Sequence, residues 1–388
     1  MEIKFDVIIE AEIEVSEGDY HYDDYDLCNQ WFLLSCTGNL ECSLDDFDII
    51  AIEVYTKRNK IKKPLSDALV PYIKKEELES VATDFLNRHY PEVLREPMAI
   101  DPIELATKMG LKVEVRNITK DLSIFGQVFF HDSNTELYDS EKDEMIIEEV
   151  KAGTIFVDPK AYFLRNLGAV NNTIIHECVH WDKHRKAFEL ERLYNESVNK
   201  IKCKVVGGIK DGDKDATGWM EWQANALAPR IQMPLSTFKT KAFEIIKRFK
   251  RELGTSEIID VIQPAIDELA TFYCVSRLAA KIRMIDSGYE EAMGAFIYID
   301  GRYIKPHSFN KGALKTNQTF SIPAEDAAIL SLTNPEIRDR NYIYVDSHFV
   351  YNQPKYVTEN LLGETVLTGY ALSHMDECCL IFDLTVKS

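Results

Sequence analysis

The sequence predicts an α+β fold in which strands dominate the two ends of the chain and helices dominate the middle. Apolar and polar residues alternate near the N-terminus, which is the period of a half-buried strand, and short β-type runs dominate after residue 295. Between these regions apolar residues recur at the three- and four-residue intervals of an amphipathic helix. These patterns predict a β-rich domain over residues 1–70, a larger mixed domain over residues 71–290 and a small α+β domain over residues 291–388.

Two strand-like runs and a basic segment define the predicted N-terminal domain. A two-residue apolar period is kept by Ile3, Phe5, Val7 and Ile9. Residues 49–55 keep the same period in part, and the acidic, aromatic residues 17–25 are predicted to form a loop between the two runs. Residues 57–64 are basic and end in proline, which is typical of a linker.

Helix signals begin after residue 74. One predicted helix is closed by Pro91, and a second begins with Asp101 as its N-cap and Pro102 in its first turn. The second helix is predicted to end at Gly110, where a left-handed C-cap belongs.

The remaining elements follow from the same two periods. Strands are predicted at residues 111–115, 124–130 and 153–157, and an exposed acidic loop at residues 132–149. Helices are predicted at residues 172–190, 219–228 and 264–285. Pro229 is expected to interrupt the second of these helices near its end. In the C-terminal domain, strands are predicted at residues 296–299, 342–345, 367–370 and 380–384.

The composition restricts the class of protein. With 64 acidic and 45 basic residues the net charge is −19, which disfavours direct binding of DNA or RNA and suits a basic protein partner. The eight cysteines include no CxxC pair, which argues against a disulfide scaffold and an all-cysteine zinc ribbon. Neither a basic, apolar leader nor a run of about 18 apolar residues occurs, so we expect a reduced, cytoplasmic protein that crosses no membrane.

The residues with the clearest chemistry are His176, Glu177 and His180. On a helix, positions four apart lie on one face about one turn, or ~6 Å, from each other, so the two imidazoles could hold one zinc ion. The carboxylate of Glu177 could then take a proton from a zinc-bound water as that water attacks a carbonyl. A helix with two ordinary histidines remains the alternative at this stage.

A third ligand must come from elsewhere. His184 lies on the same face but ~12 Å from His176 along the helix axis, too far for one ion to bind both easily. Glu221 stands on a later predicted helix with small residues that would let two helices approach closely. Asn225, one turn further, could hold a ligand histidine by its second ring nitrogen. From spacing alone, a solvated surface glutamate is an equally good interpretation of Glu221.

Several blocks in a fixed order resemble the ImmA/IrrE family of metallopeptidases. The sequence HECVHWDKH, which begins at His176, matches the family's HExxHxxxH helix, and EWQANALAPRIQMP, which begins at Glu221, matches its ExxAN…MP segment. Residues 100–110, 153–159 and 272–283 resemble flanking elements of the family, so that the likeness covers about residues 75–290. Val179 departs from the pattern, because the family usually has glycine there.

This resemblance implies a zincin-like metallopeptidase domain that cuts a peptide bond inside a protein. His176, His180 and Glu221 would bind Zn²⁺ and Glu177 would be the general base. Family members cut helix-turn-helix repressors, so a basic repressor is the implied partner. The strand at residues 153–157 could offer an open edge to an extended peptide. His184 and Tyr194 are nearby candidates for stabilising an oxyanion.

Two other classes of function remain open. The chain could be a catalytically silent, metal-bound module that sequesters a repressor, although Glu177 would then have no purpose. It could instead be a transcription regulator that contacts DNA, against which the net charge of −19 argues.

The other cysteines of interest have less chemistry in their surroundings. Cys178 points away from the two motif histidines by helical geometry and is expected to pack. His374 and Cys378 have the spacing of a metal pair on a helix. The apolar run after Cys379 favours a strand with buried thiols instead.

Overall fold

The computed structural model describes most of the chain. The described residues are 2–16, 25–40, 44, 47–56, 69–121, 123–160, 167–194, 200–204, 216–315 and 318–383. They contain both helices and strands throughout, which confirms the α+β class. The predicted linker at residues 57–64 lies outside the described residues. So does the predicted N-terminal loop at residues 17–25, apart from Tyr25.

The chain divides into two units. Unit 1 consists of Met1–Val81, Pro102–Leu164 and Thr173–Ala228. Unit 2 consists of Ala82–Asp101, Arg165–Asn172 and Pro229–Ser388. The predicted domain boundaries at residues 70 and 290 stay a prediction.

Unit 1 begins with an antiparallel sheet of three strands in the order β1-β2-β3. These are β1 (Glu2–Ser16), β2 (Tyr25–Asn39) and β3 (Asp48–Val54). Ile9 of β1 pairs with Phe32 of β2, which pairs with Val54 of β3, so apolar side chains share one face. The β-rich character predicted for this region is therefore confirmed.

The first helices also agree with their sequence signals. The helix α1 (Leu78–His89) ends before Pro91, and α2 (Pro102–Lys108) begins with a proline because a first-turn position needs no backbone N–H. Gly110 follows α2 with φ +75°, the left-handed conformation expected of it.

A four-stranded sheet with the order β4-β8-β5-β9 supports the centre of unit 1. Its strands are β4 (Lys112–Val115), β5 (Ile124–Phe129), β8 (Thr154–Val157) and β9 (Lys200–Lys204). The strand β8 pairs with β4 on one side and β5 on the other. The expectation that β8 offers an open edge is therefore wrong, because both of its rows of backbone groups are already paired. A peptide that extends this sheet would have to add at β4 or β9.

The predicted acidic loop at residues 132–149 is instead a hairpin of β6 (Ser133–Asp139) and β7 (Glu144–Val150). Thr135 and Leu137 are buried, and more exposed residues stand between and beside them. The side chain of Asp139 accepts hydrogen bonds from the backbone N–H groups of Glu141 and Lys142 and so closes the turn. The acidic residues therefore mark the solvent side of a strand pair rather than a loop.

The helix predicted over residues 172–190 is two helices, α3 (Leu167–Lys183) and α4 (Arg185–Tyr194), separated at His184. The next helix, α5 (Ala216–Gln232), begins earlier than predicted and continues through Pro229. Its hydrogen bonding resumes after the proline, since the Met233 N–H donates to the carbonyl of Pro229. A proline near a helix end removes only one donor from the ladder, so the predicted interruption is wrong.

Three helices form an apolar core in unit 2. They are α6 (Leu235–Leu253), α7 (Ile262–Phe272) and α8 (Arg277–Asp286), and α6 had no counterpart among the sequence predictions. The single helix predicted over residues 264–285 is broken because Cys274 adopts φ +52° and Ser276 caps α8. Among the helices of the described ranges, none is both long and apolar enough to cross a bilayer.

The rest of unit 2 is built from short elements. The helices are α9 (Ala324–Thr333), α10 (Glu336–Asp339), α11 (Gly369–Ser373) and α12 (Met375–Cys378). The strands are β10 (Tyr298–Ile299), β11 (Arg302–Tyr303), β12 (Gln318–Thr319), β13 (Tyr342–Val345), β14 (His348–Tyr351), β15 (Val357–Glu359), β16 (Thr365–Leu367) and β17 (Phe382–Asp383). The strand predicted at residues 367–370 is wrong in its second half, because Thr368 caps a helix there.

Candidate metal centre

Two helices bring the predicted ligands together. His176 and His180 lie one turn apart on α3, and Glu221 lies on α5. The Nε2 atoms of the two histidines are 2.9 Å apart. Glu221 places Oε2 3.3 Å from His176 Nε2 and Oε1 3.4 Å from His180 Nε2. The three residues therefore aim their ligand atoms at one point.

These separations fit one bound cation. Ligand atoms about 2.0–2.1 Å from a tetrahedral zinc ion lie roughly 3.3 Å from one another, close to the 2.9–3.4 Å found here. Among the described residues, this is the group of at least three histidine, cysteine or acidic side chains that could hold a metal. His184 does not belong to it, as its spacing from His176 predicted.

A chain of hydrogen bonds orients His180 from behind. Gln223 Nε2 donates to the carbonyl oxygen of Pro71 at 2.6 Å, so its Oε1 faces His184 Nε2 at 2.9 Å and accepts from it. A neutral His184 that donates through Nε2 must accept through Nδ1, which lies 3.0 Å from His180 Nδ1. His180 then carries its proton on Nδ1, and the lone pair of Nε2 points towards His176 and Glu221. That is the tautomer a metal ligand needs.

Burial and charge favour the metal-binding protonation states. Burial lowers the pKa of His180, and it lowers that of His184 to about 3, so both imidazoles are neutral at neutral pH. Burial acts to raise the pKa of Glu221, but the close approach of the His176 and His180 ring nitrogens outweighs that effect and lowers the pKa to about 2. Glu221 is therefore an anion beside two histidines, the donor set that divalent zinc prefers.

The residue expected to support a ligand histidine is the wrong one. Asn225 is exposed on α5, whereas Gln223 is buried and reaches His180 through His184. The two differ by two positions, which turns them to opposite sides of a helix. A glutamine two residues after a candidate ligand carries no signal of its own in the sequence, so the error could not have been avoided there.

We expect Gln223→Leu to weaken zinc binding about 10- to 100-fold, the usual effect of losing a group that orients a ligand. The substitution keeps the buried volume but leaves His184 free to rotate and His180 without a defined tautomer. Competition with a chromophoric zinc chelator measures the effect. Asn225→Ala, on the exposed side of the same helix, is the matched control and should bind zinc as wild type does. Equal weakening in both variants would contradict this hydrogen-bond chain.

Glu177 is buried at the same centre, beside the first ligand on α3. Strand β5 lies directly against it. A Cβ atom at Gly126 of β5 would stand 2.9 Å from Glu177 Oε1 and 2.4 Å from Thr173 Cγ2, closer than real Cβ contacts. Glycine at position 126 thus allows the strand to approach α3 and confines the Glu177 carboxylate. Sequence patterns did not single out Gly126, because a glycine in a strand has several other uses.

Gly126→Ala is expected to shift the Glu177 carboxylate while added Zn²⁺ still binds, because the new methyl group displaces Glu177 rather than a candidate ligand. We expect a destabilisation of about 1–3 kcal/mol, as for other overpacked cores, measurable by urea unfolding. Gly369→Ala, whose Cβ would meet nothing within 4 Å, is the matched control. Adding Thr173→Ser removes the closest contact and should restore part of the stability. A Gly126→Ala variant that is as stable as wild type would show that the strand does not confine Glu177.

Two further sequence expectations concern this centre. Cys178 is fully buried, and burial raises the pKa of its thiol, so the packing role expected of it agrees with its surroundings. Of the two oxyanion candidates, His184 is committed to His180 and Gln223. The side chain of Tyr194 lies outside the described residues.

Compared with known proteins, the sequence matches no protein-family model and no curated protein.

Proposed function

We propose that the chain is a zinc-dependent endopeptidase with a zincin-like fold around its metal centre, acting in the cytoplasm. The observation that carries the proposal is the convergence of His176, His180 and Glu221 within 4.8 Å, with Glu177 beside them on α3. Two neutral imidazoles and one carboxylate are the ligand set of catalytic zinc sites, which keep a fourth position for water or substrate.

Each residue has a separate task in this proposal. Bound zinc would lower the pKa of a water molecule and polarise the carbonyl group to be attacked. His176, His180 and Glu221 would hold the ion. The hydrogen bonds that link His180 through His184 and Gln223 to the carbonyl oxygen of Pro71 would keep His180 in its metal-binding tautomer. Glu177 would accept the proton that the attacking water loses and deliver it to the amine of the departing peptide. The buried position of Glu177 keeps bulk water away from that transfer.

We infer a protein substrate, and a basic helix-turn-helix repressor is the class we propose. The net charge of −19 supports this choice, because an acidic protein attracts a basic partner and repels the DNA to which a repressor binds. The resemblance of residues 75–290 to peptidases that act on such repressors points to the same class.

Metal removal tests the proposed function. The zinc-loaded protein should produce new N-termini when incubated with a peptide library of broad sequence, as read by mass spectrometry. Treatment with a chelator should abolish cleavage and added zinc should restore it, because in this mechanism the bound zinc activates the attacking water. Cleavage that persists after the metal is gone, or a zinc-loaded protein that cuts neither the library nor a basic repressor, would rule out the endopeptidase.

A further inference from the structure

Three sulfur atoms meet in the core of unit 2, far along the chain from the metal centre. The Sγ atoms of Cys378 and Cys379 are 3.7 Å apart, and Cys379 Sγ lies 3.9 Å from the Sδ atom of Met375. All three residues are buried, and Cys379 is the most exposed of them at 9%. We call these residues the sulfur cluster.

The local backbone explains how adjacent cysteines can share one small space. Met375 and Cys378 lie at the two ends of α12, one turn apart, and therefore on one face. Cys379 then leaves the helix in an extended conformation, with φ −112° and ψ 149°, and bridges to Val350. This change of conformation within one residue turns the side chain of Cys379 back towards Met375 and Cys378.

The spacing of the sulfur cluster suits a single ion. Sulfur atoms bound at about 2.3 Å to one metal lie roughly 3.8 Å apart in tetrahedral and 4.0 Å apart in trigonal arrangement. The two separations from Cys379 Sγ, 3.7 and 3.9 Å, fall close to these values. Packing alone requires apolar contact but does not require Cys379 Sγ to lie within 4 Å of two other sulfur atoms.

The donor types select the ion. Two thiolates and one thioether are soft ligands, which favour Cu(I) over zinc, whose structural sites use cysteine, histidine and carboxylate. His374 does not complete a zinc site through Nδ1, because that atom faces the carbonyl oxygen of Tyr370 at 3.0 Å and the ring stacks on Tyr370. The spacing of His374 and Cys378 in the sequence is that of a metal pair on a helix. In the structure the near neighbours of the cysteines are instead other sulfur atoms.

The two thiols differ in acidity because they share a hydrogen bond. The hydrogen bond between the two sulfurs lowers the pKa of Cys378, against the effect of burial, and raises that of Cys379. The carboxylates of Glu377 and Asp376 act against the Cys378 thiolate, and the charge of Lys355 acts in its favour. Cys378 Sγ otherwise lies 3.6 Å from the carbonyl oxygen of His374, a weak contact that a metal bond would outweigh.

We propose that Met375, Cys378 and Cys379 form a binding site for one Cu(I) ion, separate from the zinc centre. Binding forms three copper–sulfur bonds and releases one proton from each thiol to the solvent, with no change in oxidation state.

The test is anaerobic competition for Cu(I) between the full-length protein and a chromophoric Cu(I) chelator. Wild type should bind one Cu(I) at this site, and Cys378→Ser and Cys379→Ser should each weaken binding more than about 100-fold, because a hydroxyl is a poor ligand for a soft ion. Met375→Leu conserves volume and should weaken binding by about tenfold. Cys28→Ser and Cys274→Ser, outside the cluster, are the controls and should bind as wild type does.

X-ray absorption of the copper-loaded wild type keeps the proposal testable if a serine variant fails to fold. A first shell of sulfur alone supports the cluster, and a shell with nitrogen or oxygen overturns it. Cu(I) affinity that is unchanged by Cys378→Ser and Met375→Leu overturns it equally. Zinc content should be the same in all of these variants, so the result is independent of the peptidase proposal.

Discussion

Glu177→Gln should abolish peptide cleavage while zinc stays bound at the wild-type level. Glutamine has the shape of glutamate, so α3 and the metal ligands keep their positions, but the amide cannot accept a proton. Loss of a general base lowers kcat by about 10²–10⁴-fold, which is complete loss in most cleavage assays. The measurements are zinc content by elemental analysis and the rate of appearance of new N-termini.

Glu189→Gln is the matched control for this experiment. Glu189 is also a buried glutamate, lies on α4 and approaches His131 at 3.1 Å rather than a candidate metal ligand. We expect this variant to cleave normally. If Glu177→Gln cuts as fast as wild type, Glu177 is not the base. If wild type never cuts, but wild type and Glu177→Gln bind a repressor equally well, the catalytically silent module that sequesters a repressor becomes the better explanation.

His180→Ala is expected to remove zinc altogether. Its effect on affinity should exceed the roughly 100-fold upper range for supporting residues, because His180 is a ligand and also the end of the hydrogen-bond chain. In wild type, free zinc at about 100 times its dissociation constant should stabilise the fold by about 2.7 kcal/mol. Thermal unfolding with and without zinc should therefore show a stabilisation that the variant lacks.

His176→Ala and Glu221→Ala extend this experiment to the other ligands, and His374→Ala serves as a control outside the centre. Zinc lost from all three ligand variants supports the complete site. Zinc lost with the histidines but retained by Glu221→Ala would move the third ligand to another residue. Zinc bound at full affinity by His180→Ala would contradict the centre as a whole.

The local part of the centre could be predicted because it depends on one helix. His176 and His180 face the same way wherever α3 lies, since residues four apart share a helix face. Glu221 is different, because its approach to the histidines depends on how α5 packs beside α3. Residue spacing left it undecided, and only the likeness to a family favoured it. Gln223 and Gly126 were missed for the same reason: each acts through a contact with a residue distant in sequence.

Secondary-structure elements with local sequence signals could also be predicted, whereas those that depend on distant contacts could not. The residues that begin and end α1 and α2 are local signals, and both helices occur where those signals place them. The acidic composition of residues 133–150 suggests a loop, because the acidic side chains are those that face solvent. Only the pairing between β6 and β7 shows that the segment is a hairpin. The break between α7 and α8 depends on the left-handed conformation of Cys274. The sequence has no glycine at this position that would have predicted such a conformation.

Helical spacing, caps and composition determined the α+β class, the pair of histidines with their glutamate and the acidic character of the chain, because none of these depends on which distant residues meet in the fold. The packing of the chain decided the partner of those histidines, the closed position of β8 and the meeting of three sulfurs around Cys379. The first two features bring together residues that lie far apart in the sequence. The third brings adjacent side chains together because the backbone changes from helical to extended at Cys379. All three are stabilised by contacts that exist only in the folded chain.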